Sequence, residues 1–213
     1  EGGAFGGDFL LRNTTTGMVD IWQDNAGTMS GHDVAQATLD WQIMGTVDFN
    51  ADGKSDILWR NEENGYVSVW QMDGSTVSTT YNPGVVGLQW KLVGANDFYG
   101  DGKAEVLWRD SGSGEVNLWT IDGPGAGQTH GQTVAYLGNE WNVAGTGDFN
   151  GDGKADILWF DTVTGQVVVW EMNGASVLAH QEIGDPGPQW RVVDVADISG
   201  DGKTDILWRD TGT

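Results

Sequence analysis

The chain has 213 residues, a formal net charge of −21, 38% apolar residues and no cysteine. That acidity excludes a nucleic-acid partner, which needs clustered Lys and Arg against phosphate, and the missing cysteines exclude disulfide or thiol chemistry. No stretch approaches the roughly 18 apolar residues of a membrane-spanning helix, so membrane insertion is not expected.

In chain order, the first readable strand is Asp8-Phe-Leu-Leu-Arg12, a run that returns as Asp205-Ile-Leu-Trp-Arg209. From Trp41 the sequence reads as a repeat of four strands, here named A to D. Strand A starts Trp41-Gln-Ile-Met-Gly, and an acidic loop leads to strand B, Ile57-Leu-Trp-Arg60. A turn over Asn61 to Gly65 leads to strand C, Tyr66-Val-Ser-Val-Trp70, and an Asp73-Gly74 turn to strand D, Ser75 to Thr80. Gly, Asn and Asp between β-rich runs are the pattern of antiparallel hairpins. Strand B carries adjacent apolar residues, which predicts a sheet covered on both faces.

The repeat has a period near 49 residues. Trp41, Trp90, Trp141 and Trp190 recur at steps of 49, 51 and 49; Trp59, Trp108, Trp159 and Trp208 keep the same time, as do Trp22, Trp70, Trp119 and Trp170. Four-stranded units at this period predict an all-β propeller. A single array over residues 1–213 is expected, with a partial blade at 8–40, repeats at 41–89, 90–140 and 141–189, and a partial blade at 190–213. That makes about four blades. The ends leave one B strand over, so closure by pairing of the terminal strands, membership of a larger ring, and a homo-oligomer of mutually completed blades all stay open.

Each repeat also carries a loop: DFNADGKSD (48–56), DFYGDGKAE (97–105), DFNGDGKAD (148–156) and DISGDGKTD (197–205). Calcium prefers 6–8 hard oxygens. Asp48, Asn50, Asp52, the carbonyl of Lys54 and Asp56 supply them at alternating positions, as do Asp148, Asn150, Asp152, Lys154 and Asp156 in the third loop. The fourth offers Asp197, Ser199, Asp201, Lys203 and Asp205. The second has Asp97, Asp101, Lys103 and Glu105, but Tyr99 in the third position, so it should be weakest. Up to four structural Ca2+ ions are expected. These loops account for twelve of the 31 carboxylates, so much of the acidity reads as ligand oxygen.

The Asp-x-Asn-x-Asp-Gly-x-x-Asp loop followed by an apolar strand resembles the FG-GAP or VCBS repeat, the blade of integrin-α-like propellers and of many bacterial surface proteins. The resemblance spans about residues 8 to 210 and implies an extracellular or cell-surface setting.

Blade topology puts the starts of strand A and the ends of strand B on the face away from the acidic loops. Trp41, Trp90, Trp141 and Trp190 are therefore expected near Arg60, Arg109 and Arg209, with Phe160 in the fourth Arg position. Trp stacks on sugar rings and Arg holds hydroxyls or carboxylates, so a repeated site for a glycan or other cell-surface ligand is one reading. Inter-blade packing, with Arg over Trp, is the other. His32, His130 and His180 fall in strand D as surface positions. No Ser-His-Asp order, His-Glu-x-x-His motif or phosphate loop is present, and near-identical blades argue against one asymmetric catalytic site. The expectation is a calcium-stabilised module that binds carbohydrate or adheres, and is not an enzyme. The alternatives are a structural or protein-interaction domain of a larger secreted protein, or a polysaccharide-active enzyme.

Overall fold

A computed structural model describes residues 8–25, 28–124 and 129–212. The described residues are all-β: seventeen strands and no helix. Three sheets are complete four-stranded antiparallel blades. They comprise β4 (Trp41–Val47) to β7 (Thr76–Val85); β8 (Trp90–Asn96), β9 (Glu105–Asp110), β10 (Glu115–Ile121) and β11 (Thr129–Tyr136); and β12 (Trp141–Gly147) to β15 (Ser176–Gly184). Ahead of them β1 (Phe9–Arg12), β2 (Met18–Asn25) and β3 (Thr28–Gln36) form a three-stranded sheet, and β16 (Trp190–Ala196) and β17 (Asp205–Asp210) a two-stranded one. The four-stranded blade is thus as expected. Among the described residues, however, the two end sheets are not joined by strand pairing.

Two compact units divide the chain, one over Glu1–Leu88 with Ile121–Thr129, the other over Gln89–Thr120 and His130–Thr213. In the first unit, β5 (Asp56–Asn61) is buried along all six residues. Its Ile57 and Trp59 join Val19, Ile21, Ala37 and Met72 in one core. In the second unit the alternation of strand B is fully visible on β13 (Asp156–Asp161). Ile157 and Trp159 enter a core with Phe98, Leu107 and Leu118, while Leu158 and Phe160 enter another with Val192, Ile206 and Trp208. Side chains on one strand point alternately to opposite faces, so a B strand between two neighbours must be apolar on both. That is why its sequence lacks polar alternation.

A cation couples successive sheets within each unit. The guanidinium of Arg12 lies 5.3 Å over Trp59, and that of Arg109 5.6 Å over Trp159. Each of these indoles also meets the strand-C Trp of its own blade: Trp59–Trp70 at 4.7 Å and Trp159–Trp170 at 5.1 Å. In the fourth Arg position Phe160 instead meets Trp208 at 6.4 Å, and Arg191 supplies the cation 5.7 Å from the Phe160 ring. The substitution exchanges a cation–π contact for an aromatic pair, and both are worth roughly 0.5–1.5 kcal/mol.

The turn from strand B to strand C is built once and repeated. Asn13, Asn61, Asp110 and Asp161 each accept backbone N–H bonds on Oδ1 from the residues two and three ahead. The following Gly takes a positive φ, 72° at Gly114, and a Cβ there would stand 1.9 Å from the Leu137 carbonyl. That carbonyl belongs to a residue whose own N–H donates to Gly114 O at 3.0 Å. Glycine is required both for the φ and for the approach.

Arg109 is 7% exposed and donates to the carbonyls of Trp141, Gly138 (2.7 Å) and Leu137 (3.4 Å). Replacing it by Ala strands three carbonyls and removes the ring contact. Arg109→Ala should lower the unfolding free energy by about 2–4 kcal/mol, read as a lower urea midpoint. Arg109→Lys should recover only a minor part, because an ammonium cannot span three acceptors in the plane of a fork.

Candidate metal-binding loops and ligand hollows

The four acidic loops share one backbone. The first-position Asp folds the loop over its own carboxylate. Asp148 Oδ1 accepts from Gly151 N (2.6 Å) and Asp152 N (3.1 Å), and Oδ2 accepts from Gly153 N (2.8 Å). Asp97 and Asp197 make the matching bonds, while Asp48 Oδ1 accepts from Asn50 N and Ala51 N and its Oδ2 from Gly53 N. The fifth-position Asp accepts from the seventh-position Lys N–H at 2.9 Å in all four. The fourth and sixth positions are left-handed, so they are glycine throughout except Ala51, whose φ is 62°.

The ninth-position acid stands apart from this curl. Asp56 and Asp156 are fully buried, and Glu105 is 1% exposed. Asp156 Oδ2 accepts from Phe149 N at 3.1 Å, and Oδ1 from Met172 N of strand C at 2.9 Å; Asp56 does the same with Phe49 and Met72. One carboxylate thus staples loop, strand B and strand C together. Burial pushes the Asp156 carboxyl up to about 6 and the Glu105 carboxyl up to about 7, and raises that of Asp56. In the two-stranded end sheet no strand C covers the acid. Asp205 is half-buried, and the N–H of Ser199 holds its carboxyl below the usual range.

Whether these residues fit calcium turns on donor chemistry. Loops one and three each bring two carboxylates and one amide oxygen around the curl, all hard oxygen, with Asn50 Nδ2 3.3 Å from Asp52 Oδ2. Asp48, Asn50 and Asp52, or Asp148, Asn150 and Asp152, could hold such an ion. With the ninth acid turned onto backbone N–H groups, no three carboxylate or imidazole groups gather into a metal cluster among the described residues. The second loop differs as its sequence implied. Tyr99 leaves the curl, lies against Gly174, and accepts a hydrogen bond on its hydroxyl from Gln132 Nε2 at 3.0 Å.

The loops and the C–D turns share a face: Lys54 Nζ meets Asp73 Oδ1 at 2.9 Å, and Gly174 N donates to Phe98 O. On the far side, the strand-A Trp residues are half-buried. Arg60 and Arg109 do not stand exposed beside them. They are 2% and 7% exposed, with Arg60 donating to Gly87 O at 3.0 Å and Arg109 to the carbonyls already named; Arg209 is exposed. Arg109, lying over the Trp159 indole, is buried by that packing, which strand register alone could not reveal.

Three hollows recur at the junction of strand D with the next strand A. One, about 310 Å³, is lined by Thr38, Trp41, Trp59, Ser68 and Trp70. Its counterpart a hundred residues on, about 390 Å³, has Trp141, Gln166, Trp170, His180 and Glu182. A third, about 380 Å³, has Trp190 and Trp208 with Ile183 and Pro186. His180 stacks on Trp170 at 4.9 Å and 9°. His32 is not its equivalent: a bulge between Glu171 and Met172 brings His180 opposite Trp170, whereas β2–β3 lacks that bulge and sets Gly31 opposite Trp22. All three histidines lie in strand D.

Two outcomes follow for stability. Asp156→Ala should cost about 2–4 kcal/mol, since two buried N–H groups lose their acceptor, whereas Asp205→Ala should shift the urea midpoint much less. Ala51→Gly should raise the midpoint, because a left-handed Ala carries a steric cost of roughly 1 kcal/mol that Gly avoids.

The FG-GAP-like repeat family is matched twice, over residues 97–159 and 148–208, together just over half of the chain. No curated protein matches. Among solved structures, the Photorhabdus luminescens Tc holotoxin pore aligns over 95% of this chain with a TM-score of 0.56 at 14% identity, but this chain spans only 11% of that one. That likeness shows the fold alone. The exotype rhamnogalacturonan lyase YesX (TM-score 0.44, 16% identity, 91% of this chain and 47% of that one) and a chain of the nidogen/laminin complex (0.41, 13%, 95% and 84%) are more distant. By its repeated loops, its four-stranded blades and these two family matches, the chain belongs to the FG-GAP-like repeat family.

Proposed function

We propose that this is a calcium-stabilised propeller-type binding module of a secreted or cell-surface protein, that it takes carbohydrate, and that it binds rather than catalyses. The three Trp-lined hollows carry the reading. Each offers an indole beside hydrogen-bonding groups, the pairing that suits a sugar's apolar face and its hydroxyls, and their repetition suits multivalent capture. Calcium would be held by the oxygens of the acidic loops. Its chemistry there is electrostatic: a divalent charge that offsets the crowded carboxylates and ties strand A to strand B. Asp48, Asp148 and Asp197 pre-form the loops by binding their own backbone N–H groups.

A second reading, a protein-interaction domain, is favoured by apolar side chains left exposed on the D strands of complete blades: Tyr136 is 66% and Leu178 60% exposed.

A glycan array probed with the purified protein in millimolar calcium, beside an EDTA-treated arm, separates the two. Specific glycan binding lost in EDTA is expected, with Trp141→Ala and Trp190→Ala each weakening avidity while circular dichroism stays unchanged. A folded, calcium-loaded protein that binds no glycan would leave the protein-interaction reading in its place.

A further inference from the structure

Four of the chain's ten Lys and Arg stand in two cross-strand pairs at the same register. Lys91 faces Arg109 across β8–β9, and Arg191 faces Arg209 across β16–β17. The equivalent pairs in the other two blades are Gln42 with Arg60, and Asn142 with Phe160. Like charges directly opposite one another on a sheet are destabilising, and this chain has 31 carboxylates from which to neutralise them. Yet the one ion pair among the described residues is Lys54 with Asp73 on the other face. Burial lowers the Arg109 pKa and nearby Glu140 only partly offsets this, and Glu140 does not bridge Lys91.

Lys91 and Arg109 border a hollow of about 530 Å³, completed by Ser111, Asn139, Asn142 and Val143. Arg109 spends its donors on the carbonyls of Trp141, Gly138 and Leu137, so it gives the hollow a fixed positive floor. Lys91, Asn139 and Asn142 are exposed. Ser111 Oγ donates to Gln89 O at 2.9 Å and keeps its lone pairs for a donor from the hollow.

We infer that this hollow is an anion subsite for the carboxylate of an acidic sugar residue. One free ammonium matches one negative charge, and the amides and hydroxyl match ring hydroxyls. A phosphate polymer would need several cations and would meet the repulsion of the −21 charge. The size suits a sugar residue more than a bare ion. The D-to-A junction at 137–143 borders this hollow and the Trp141 hollow alike, so the two adjoin where the β8–β11 blade passes into the β12–β15 blade, within reach of a single oligosaccharide. The inference rests on the carbohydrate reading and specifies its ligand as acidic.

Calorimetric titration with trigalacturonate and with its carboxyl-reduced, neutral trisaccharide tests it on wild type, Lys91→Gln and Lys91→Arg. The acid should bind about tenfold more tightly than the neutral sugar in the wild type, the size of one charge-assisted hydrogen bond. That advantage should vanish in Lys91→Gln, persist in Lys91→Arg and shrink as salt is raised, with the thermal midpoint of Lys91→Gln no lower than that of the wild type. An advantage that survives Lys91→Gln overturns the assignment. Equal binding of both sugars by the wild type overturns it too while leaving carbohydrate recognition intact, and binding of neither overturns both.

Discussion

A carboxylate that is buried and fully engaged by main-chain donors is what each complete blade is assembled around. Asp56, Glu105 and Asp156 sit at the start of strand B with little or no exposure. In the two Asp cases one oxygen holds the loop and the other holds strand C. Burying a charge costs several kcal/mol unless hydrogen bonds replace its water. The raised pKa of each acid shows that cost persisting in spite of those bonds. The arrangement is nonetheless specific. A loop that slipped by one residue would strand both the carboxylate and two amides, so the register of strands A, B and C is fixed together. In the end sheet, where strand C is missing, Asp205 turns both its bonds to the loop and stays half-exposed.

Successive blades are then locked by the same strand. Its apolar side chains alternate between two cores, and its last residue reaches the neighbouring indole. Arg12 and Arg109 use a guanidinium and Phe160 uses a ring. The position therefore tolerates very different chemistry as long as a flat group covers the Trp. Arg109 and Phe160 are buried at this position, whereas Arg209 at the end of the last B strand is exposed.

Much of this was legible in the sequence because the repeat exposes the same physics four times. The Trp spacing gave the blades, the adjacent apolar residues of strand B gave the two covered faces, and the Asp-Gly loops gave the oxygen-rich curls. Strand C and strand D run further than the expected Trp70 and Thr80, to Asp73 and Val85, and each extension carries a further buried side chain, Met72 and Pro83. For Arg60 and Arg109 the sequence left packing and ligand contact both open, since a single strand does not show what its end packs against; both are buried. The ninth-position acids were hidden for the same reason: ligand spacing names the residue, whereas the N–H of Met72 or Met172 lies 16 residues away. The hydrogen bond that Tyr99 accepts comes from Gln132, 33 residues on, which carries no local signal.

The loops link fold to function, since they both build the blades and, on this account, hold the ion that stabilises the binding module. Thermal unfolding in EDTA and then across a calcium series to about 10 mM tests that claim most directly. With dissociation constants of the extracellular class, about 0.1–1 mM, each occupied site adds roughly 1.4–2.7 kcal/mol by mass action. The account predicts a midpoint that climbs by several degrees as calcium rises, with Asp148→Asn lowering the gain. A midpoint identical in EDTA and in calcium would contradict it.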